Sequence, residues 1–286
     1  MQVLDDSILM KVIKPRPQES FKGTFGKILL VGGNHQFGGA IIMATTAAVY
    51  SGAGLVTVAT DKINAGPLRS RLPEAMVIDF DDQEAVKNMV EKVNTVVVGP
   101  GLGEESESRA VLDNVFSHTQ PDQAVVIDGS AITMIAKQHI QLPKGHLIFT
   151  PHQMEWQRLS GIKISDQVEA ANREKVDQLG GIVVLKKHHS EIYTADNTYQ
   201  LPNGSAAQAI GGMGDTLAGM VGGFTAQFRT NLTDAVLAAT YAHSAVADQI
   251  AEDQYIVLPH QISLALPRFM KKVAEQSHDQ QIGFIH

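Results

Sequence analysis

The 286-residue sequence contains no cysteine, which excludes disulfide bonds, thiolate catalysis and cysteine-based zinc sites. It has no run of lysine and arginine, and its formal net charge is -7. This charge argues against nonspecific binding to nucleic acids or acidic membranes. No segment approaches the roughly 18 apolar residues of a membrane-spanning helix, and the first residues lack a signal-peptide pattern. We therefore expect no nucleic-acid partner, no membrane partner and a cytoplasmic location.

Three common motifs of nucleotide-binding and hydrolytic enzymes are also absent. The chain has no P-loop pattern G-x-x-x-x-G-K-[ST], no correctly spaced G-x-G-x-x-G fingerprint, and no G-x-S-x-G nucleophile elbow. Glycine is nevertheless dense in one stretch, AIGGMGDTLAGMVGGF at 209–224. Each glycine inside a helix costs about 1 kcal/mol relative to alanine, so this density needs an explanation other than helix stability.

Short apolar runs rich in β-branched residues recur along the chain and are continuous, which is typical of parallel strands covered on both faces. We predict strands within residues 27–33, 55–60, 75–80, 95–101, 124–130, 146–152 and 181–187. We predict a hairpin at 191–202 and helices at 38–53, 83–92, 105–118, 165–178, 213–229, 232–252 and 260–275. This alternation indicates an α/β fold with a mainly parallel, doubly wound sheet. No linker or repeat is evident, so we predict a single domain over residues 1–286.

Several predicted strands end in glycine, proline, aspartate or histidine, as in VGGNHQFGGA, VGPGLG, VIDGS and TPHQMEW. The carboxyl ends of strands form the ligand crevice in open α/β sheets, so these loops predict a site built from several strand ends. Ordinary turn chemistry is the competing explanation for any single loop.

The glycines of 209–224 form two groups. The groups are Gly211, Gly212 and Gly214, and Gly219, Gly222 and Gly223. The first group precedes an apolar helical run, so its N–H groups are predicted to lie at a helix N-terminus, where phosphate binds readily. Asp215 then lies in the first helical turn, either as an acid that favours the helix dipole or as a general base beside a bound phosphate. The second group is predicted to allow close packing.

Seven stretches occur in an order that matches one known family. They are GTFGKILLVGGNHQFGGA, VVVGPGLG, VIDGSAI, TPHQMEWQRLSG, VVLKKHHSEIY, GGMGDTLAGMVGGFTAQ and AATYAHSAVAD. The sixth is similar to the signature G-G-[TS]-G-D-x-L-A-G, and the series resembles the NAD(P)H-hydrate dehydratases of the ribokinase-like superfamily. The resemblance covers roughly residues 22–250 and implies a three-layer α/β/α fold.

The resemblance implies a lyase that repairs hydrated NADH and NADPH (NADHX and NADPHX). A nucleotide phosphorylates the ring hydroxyl of the S epimer, and loss of phosphate then restores the double bond. The expected donor is ADP, which yields AMP and phosphate, although eukaryotic relatives use ATP. Mg²⁺ is the expected cofactor. The expected partners are NADHX or NADPHX, an adenine nucleotide and further copies of the chain in a homo-oligomer, expected to be a tetramer.

The resemblance also implies roles for individual residues, with Asp215 as the catalytic base. Contacts to the hydrated dinucleotide are expected from Ala40, Gly103, His152 and Asp215. Contacts to the adenine nucleotide are expected from Lys186, Lys187, His188, His189, Ser190 and Gly214. The anion hole is expected to consist of Gly211, Gly212, Met213 and Gly214. Glu155, on the same helix face as His152, is expected to influence Mg²⁺ through water.

Simpler interpretations of these residues exist. His152 can be a structural histidine, Glu155 a first-turn acid that favours the helix dipole, and Lys186 a solvated lysine. His188 and His189 are not expected to form a metal pair, because adjacent strand residues point to opposite faces.

Three positions depart from the family pattern. Met213 replaces the usual Thr or Ser, and Lys187 replaces a glycine. Ser130 replaces the second acid of a motif whose first acid, Asp128, is kept. If the missing glycine requires positive φ, Lys187 is strained or the loop differs.

Two other functions stay open at this point. One is a small-molecule kinase of the same superfamily, such as a hydroxymethylpyrimidine or hydroxyethylthiazole kinase, which would release a stable phosphorylated product. The other is a catalytically silent nucleotide sensor. The departures at Met213 and Lys187 fit a sensor, whereas the retained Asp215 argues against it.

Overall fold

The computed structural model describes the backbone of residues 1–283 and the side chains of residues 1–277, which form ten strands and eleven α-helices. The strands are β1 (Gln2–Val3), β2 (Lys27–Val31), β3 (Leu55–Thr60), β4 (Met76–Asp79), β5 (Thr95–Val98), β6 (Ala124–Ile127), β7 (His146–Phe149), β8 (Ile182–Leu185), β9 (Glu191–Tyr193) and β10 (Thr198–Gln200). The helices are α1 (Ser7–Val12), α2 (Gly38–Tyr50), α3 (Ala65–Arg71), α4 (Gln83–Val90), α5 (Ser106–His118), α6 (Gly129–Gln138), α7 (Gln153–Ser160), α8 (Glu169–Leu179), α9 (Met213–Gln227), α10 (Leu232–Ala251) and α11 (Pro259–Gly283).

All ten strands belong to one sheet, in the order β1-β10-β9-β8-β7-β6-β5-β2-β3-β4. The strands from β2 to β8 are parallel to one another, whereas β9 is antiparallel to both β8 and β10. The chain adds β3 and β4 on one side of β2 and then returns to place β5 on the other side. This reversal makes the β2–β5 pair a topological switch point, where open α/β sheets bind ligands. The predicted doubly wound sheet is confirmed.

Alternate residues of the central strands point into two separate apolar clusters. Ile28 and Leu30 of β2 pack with residues from α1, α2, α3, α9, α10 and α11. Leu29 and Val31 pack on the opposite face with residues from α4 to α8. Burial on both faces explains why the strand sequences are continuously apolar rather than alternating. The three-layer α/β/α architecture is therefore confirmed.

The predicted elements differ from the structure mainly at short helices. The predicted helix 165–178 begins later, as α8 at Glu169, after a 3₁₀ turn at Ile164–Asp166. Helices α1, α3 and α6 were not predicted, because each is short and two of them begin with or contain glycine. Among the described residues, no helix combines the length and the apolar character needed to cross a bilayer.

Candidate active site

The first turn of α9 is open to a ligand. Its N-cap Gly212 has a φ of 94°, a left-handed conformation that favours glycine. The helix begins at Met213, so the first N–H groups have no carbonyl partner within the helix. A methyl group built on Gly211 would meet no atom within 4 Å. A methyl group on Gly212, in contrast, would lie 2.4 Å from Sδ of Met43. A helix N-terminus whose backbone is open at Gly211 is suited to bind an anion.

The methionine in this turn lies away from the open backbone. The Met213 side chain is partly buried and packs against the apolar cluster that includes α2 and α10. Replacing the family's Thr or Ser therefore removes a hydroxyl and adds an apolar contact, while the N–H group at this position is unaffected.

A buried ion pair lies beside the turn. Nζ of Lys186, just after β8, donates to Oδ1 of Asp128 at 2.8 Å, and the Thr150 hydroxyl donates to the same oxygen at 2.6 Å. Burial alone would lower the pKa of Lys186, but the carboxylates of Asp128 and Glu155 raise it by a larger amount. The pKa therefore lies above its usual value, and the lysine stays charged. The interpretation of Lys186 as a solvated lysine is wrong, since only 18% of its side chain is exposed. A methyl group built on Gly214 would lie 3.0 Å from this ammonium, which places the charge against the helix turn.

Asp215 belongs to the same charged cluster. Burial raises its pKa to about 7, with further contributions from the negative charges of Asp128 and Glu155, against the opposing charge of Lys186. A carboxyl with this pKa changes protonation near neutral pH and is suited to accept a proton. The simple interpretation as a first-turn acid explains its position in α9 but not this environment.

His152 and Glu155 form a reciprocal cap at the start of α7. Nδ1 of His152 accepts from the N–H groups of Met154 and Glu155, and Oε2 of Glu155 accepts from the N–H of His152 at 2.8 Å. Both simpler interpretations, a structural histidine and a first-turn acid, therefore describe real contacts. Half of the His152 side chain remains exposed, and its Nε2 is 3.5 Å from Oε1 of Glu155. Burial raises the pKa of Glu155, whose charge also acts on Lys186 and Asp215.

Ala40 and Gly103 lie at the switch point between β2 and β5. Two hydrogen bonds connect the loops that follow these strands. The N–H of Gly33 donates to the Pro100 carbonyl, and the N–H of Asn34 donates to the Gly101 carbonyl. The N–H of Gly103 donates to Oγ of Ser130 at 3.1 Å. Ser130 thus holds a loop where the family pattern has an acid.

The segment 186–190 differs from its prediction in two respects. The positive φ lies at His189, at 56°, and not at Lys187, so the predicted strain at Lys187 is absent. His188 and His189 follow the end of β8, and their ring centroids are only 4.0 Å apart, because this part of the chain is a turn and not a strand. The expectation that the two rings point to opposite faces is therefore wrong. The Lys187 ammonium is 2.5 Å from Oε1 of Glu191, and the Ser190 hydroxyl donates to the Lys187 carbonyl.

Three residues of this region were not predicted as site residues. Asp128 pairs with Lys186, and the Thr150 hydroxyl donates to Asp128. The polar residues at the ends of their strands, in VIDGS and TPH, were the sequence feature that could have identified both. His243 of α10 is buried, and burial together with the charge of Lys186 lowers its pKa to about 4. It is therefore neutral at physiological pH, and its Nε2 has no hydrogen-bond partner among the described residues.

A cavity of about 1270 Å³ lies at the other end of the sheet, before β2 and β3 and beside the last turns of α2 and α9. Its lining includes Arg16, Phe25, Gly52, Gln227 and Arg229. None of the predicted site residues belongs to this lining. The predicted site residues thus lie outside this cavity, which is at the amino edge of the sheet.

Comparison with known sequences points to one family. Residues 28–268 match the NAD(P)H-hydrate dehydratase family. The chain is 50% identical over 275 residues to the ADP-dependent (S)-NAD(P)H-hydrate dehydratase of Lactiplantibacillus plantarum, and the match covers 96% of this chain and 99% of that protein.

Two solved structures are similar over nearly the whole chain. A ribokinase-like superfamily protein from Enterococcus faecalis has a TM-score of 0.93 and 45% identity, covering 96% of both chains. The ADP/ATP-dependent NAD(P)H-hydrate dehydratase of Bacillus subtilis, co-crystallised with ATP and Mg²⁺, has a TM-score of 0.85 and 29% identity. That match covers 95% of this chain and 98% of the other.

Proposed function

This chain belongs to the NAD(P)H-hydrate dehydratase family, and we propose that its repair reaction takes place at the first turn of α9. The enzyme is a lyase that returns hydrated NADH and NADPH to their active forms in an ADP-dependent reaction. One observation carries the location: the partly buried carboxyl of Asp215, with a pKa raised to about 7, lies in the first turn of α9, next to Gly212 and Gly214.

In the proposed reaction, the ionised Asp215 accepts the proton of the ring hydroxyl. The hydroxyl oxygen attacks the terminal phosphorus of ADP, a new O–P bond forms, and AMP leaves as the bond to the bridging oxygen breaks. The C–O bond of the phosphorylated ring then breaks and phosphate leaves with the electron pair. Loss of a proton from the adjacent ring carbon restores the double bond. A positioned base of this kind contributes about 10²–10⁴-fold to the rate.

The remaining groups suit charge stabilisation. The open N–H groups at residues 211–214 would hold the transferring phosphoryl, whose negative charge the helix N-terminus favours. The buried ammonium of Lys186, next to Gly214, would neutralise nucleotide phosphate. Phosphoryl transfer depends mostly on such positioning and charge neutralisation.

The two ligands are proposed to occupy neighbouring parts of the carboxyl edge. The hydrated dinucleotide would lie at the switch point against Ala40 and Gly103, and would reach the half-exposed side chain of His152. The adenine nucleotide would lie along segment 186–190 and Gly214. Asp215 and the open turn would then stand where the two ligands meet.

Mg²⁺ is a proposed cofactor, and the residues present fit a weakly protein-bound ion. Among the described residues, no three His, Asp or Glu side chains group closely enough to hold a metal ion. Mg²⁺ commonly keeps several waters and binds substrate phosphates with one or two carboxylates. Glu155, with one carboxylate oxygen used by the His152 N–H, would contribute through water, and the ion would offset phosphate charge.

Three coarser properties complete the proposal. We propose a single ribokinase-like domain because the sequence shows no linker or repeat, a cytoplasmic location because it shows no signal-peptide pattern, and a homotetramer because the family resemblance implies one. Analytical ultracentrifugation tests the assembly, and localisation of a tagged full-length chain tests the compartment.

The reaction is tested by mixing the protein with S-hydrated NADH, Mg²⁺ and either ADP or ATP. Reduced-nicotinamide absorbance should return together with free phosphate and, from ADP, AMP. A stable phosphorylated product would instead indicate the kinase. Binding of both ligands without turnover would indicate the sensor. At 50% identity to a named dehydratase, neither alternative is favoured.

A further inference from the structure

A chain of buried hydrogen bonds connects α7 to the segment 186–190. Nε1 of Trp156 donates to Oδ1 of Asn172 at 2.8 Å, and Nδ2 of Asn172 donates to the Tyr193 hydroxyl at 3.0 Å. That hydroxyl donates to Oε2 of Glu191 at 2.7 Å. The other oxygen of Glu191 is 2.5 Å from the ammonium of Lys187. We call these five residues the buried relay.

The buried relay is shielded from solvent along most of its length. Trp156, Asn172, Tyr193 and Glu191 are at most 4% exposed, and 22% of the Lys187 side chain is exposed. Each polar group in the series has a partner, which is the condition under which a buried polar network rigidifies its surroundings. Burial raises the pKa of Tyr193, so its hydroxyl stays protonated and continues to donate to Glu191.

The two ends of the buried relay lie next to the two ligand regions of the proposed function. Trp156 follows Glu155 in α7, whose first residues carry the His152 cap. Lys187 follows Lys186, and its carbonyl accepts from the Ser190 hydroxyl within the nucleotide segment. The Lys187 ammonium points to Glu191, so this side chain supports the segment from behind through a buried carboxylate.

We propose that the buried relay holds segment 186–190 in the conformation that binds the adenine nucleotide, and that Lys187, Glu191, Tyr193 and Asn172 are positioning residues. The proposal rests on the function assigned above. Lys187 occupies the position where the family pattern has a glycine, and its side chain pairs with Glu191, while the left-handed residue of this turn is His189. Nucleotide binding at the segment is transmitted through the relay to Trp156.

The first test is Tyr193→Phe, which removes one hydroxyl and both of its hydrogen bonds while keeping the ring. We expect the KM for ADP to rise about tenfold, as loss of one or two buried hydrogen bonds predicts. The KM for hydrated NADH and kcat should change less than about twofold. Tyr199→Phe, on the neighbouring strand β10 and outside the relay, is the matched control and should leave all three constants unchanged.

A second variant, Lys187→Met, breaks the relay at its other end. If the relay acts as one unit, the double variant Tyr193→Phe/Lys187→Met should have the ADP KM of the worse single variant, not the product of the two effects. Multiplicative effects, an unchanged ADP KM in Tyr193→Phe, or an equal rise in both KM values would overturn the proposal. Turnover by the wild-type enzyme in the same assay tests the proposed function separately, so the two failures are distinguishable.

The only tryptophan of the chain supplies an independent readout. Fluorescence excited selectively at tryptophan reports Trp156 alone, without any need for catalysis or for the hydrated substrate. ADP titration should shift the Trp156 emission of the wild type and of Tyr199→Phe. The shift should be lost in Tyr193→Phe even at saturating ADP, and an equal shift in that variant would contradict transmission through the relay.

Discussion

The glycines within α9 and those just before it differ in what surrounds them. In the middle of the helix, a methyl group built on Gly219 would lie 2.0 Å from the Ala44 carbonyl oxygen of α2, and one on Gly222 would lie 2.4 Å from Val97 of β5. Two residues before the helix, a methyl group on Gly211 would meet nothing within 4 Å, although one on the N-cap Gly212 would lie 2.4 Å from Sδ of Met43. The same residue type thus serves close packing in one region and an open backbone in the other.

This difference shows how a single sequence motif combines stability with chemistry. The packed half of α9 lies against α2 and the sheet and fixes the axis of the helix. The open half presents N–H groups and Asp215 at the carboxyl edge. Because the two jobs depend on different neighbours, substitutions in each half should have separable effects on activity and on stability.

The largest effect is expected from Asp215→Asn in the open half. Removing the base should lower kcat by about 10²–10⁴-fold, while binding of both ligands persists. Near-normal turnover would exclude Asp215 as the base.

The same substitution should raise thermal stability although it lowers kcat. Burial disfavours the ionised form of Asp215, so the contribution of this group to stability falls as pH rises from about 4 to about 7. The Asn variant should therefore melt at a higher temperature than the wild type at pH 8, with a smaller difference at pH 4.

The pH dependence of the wild type is the second test. The proposed base must be ionised, so kcat/KM should fall about tenfold per pH unit below its pKa of about 7. The apparent pKa should be read from the free-enzyme profile of kcat/KM. The Gly219→Ala variant should keep the same midpoint, since its substitution is in the packed half. A kcat/KM that does not change between pH 5 and pH 8 would show that ionisation of Asp215 does not control the reaction.

Gly219→Ala should mainly affect folding. The added methyl would overlap the backbone of α2, and overpacking of this kind costs about 1–3 kcal/mol or more. Gly39→Ala in α2 is the matched control, because a methyl group there meets no atom within 4 Å and alanine favours a helix. Urea denaturation should show a lower midpoint for the first variant and an equal or higher one for the second.

The smallest structural effect is expected from Gly211→Ala. Its methyl enters open space, so unfolding free energy should change by less than about 0.5 kcal/mol. The methyl nevertheless narrows the approach to the open turn, so kcat/KM should fall about tenfold, a difference of about 1.4 kcal/mol. A variant that is as active as the wild type would show that the phosphoryl does not approach past residue 211.

Much of the fold follows from local patterns. Continuous apolar runs predicted seven of the parallel strands, and the hairpin at 191–202 corresponds to β9 and β10. Short helices such as α6 were missed because they begin with glycine directly after a strand. Element boundaries at the strand ends also differ, since hydrogen-bond partners across the sheet decide where pairing stops.

The candidate site was predicted less evenly. Asp215 and the open turn were identified because glycines before an apolar run have a local physical meaning. The ion pair of Lys186 with Asp128 joins residues 58 positions apart, and no local pattern reports such a pair. Lys187 was expected to contact the nucleotide and, if its position requires positive φ, to be strained or to lie in a different loop. Its partner Glu191 and the left-handed His189 became visible only in the folded loop.

Spacing and residue type along the chain were enough to predict the class of fold and the family, and to single out Asp215 at the start of α9 as the proposed base. Tertiary structure alone decided the protonation of Asp215, the burial of Lys186 and the route of the relay behind segment 186–190. These properties depend on desolvation and on charges brought together from distant strands, and both arise only when the sheet has assembled.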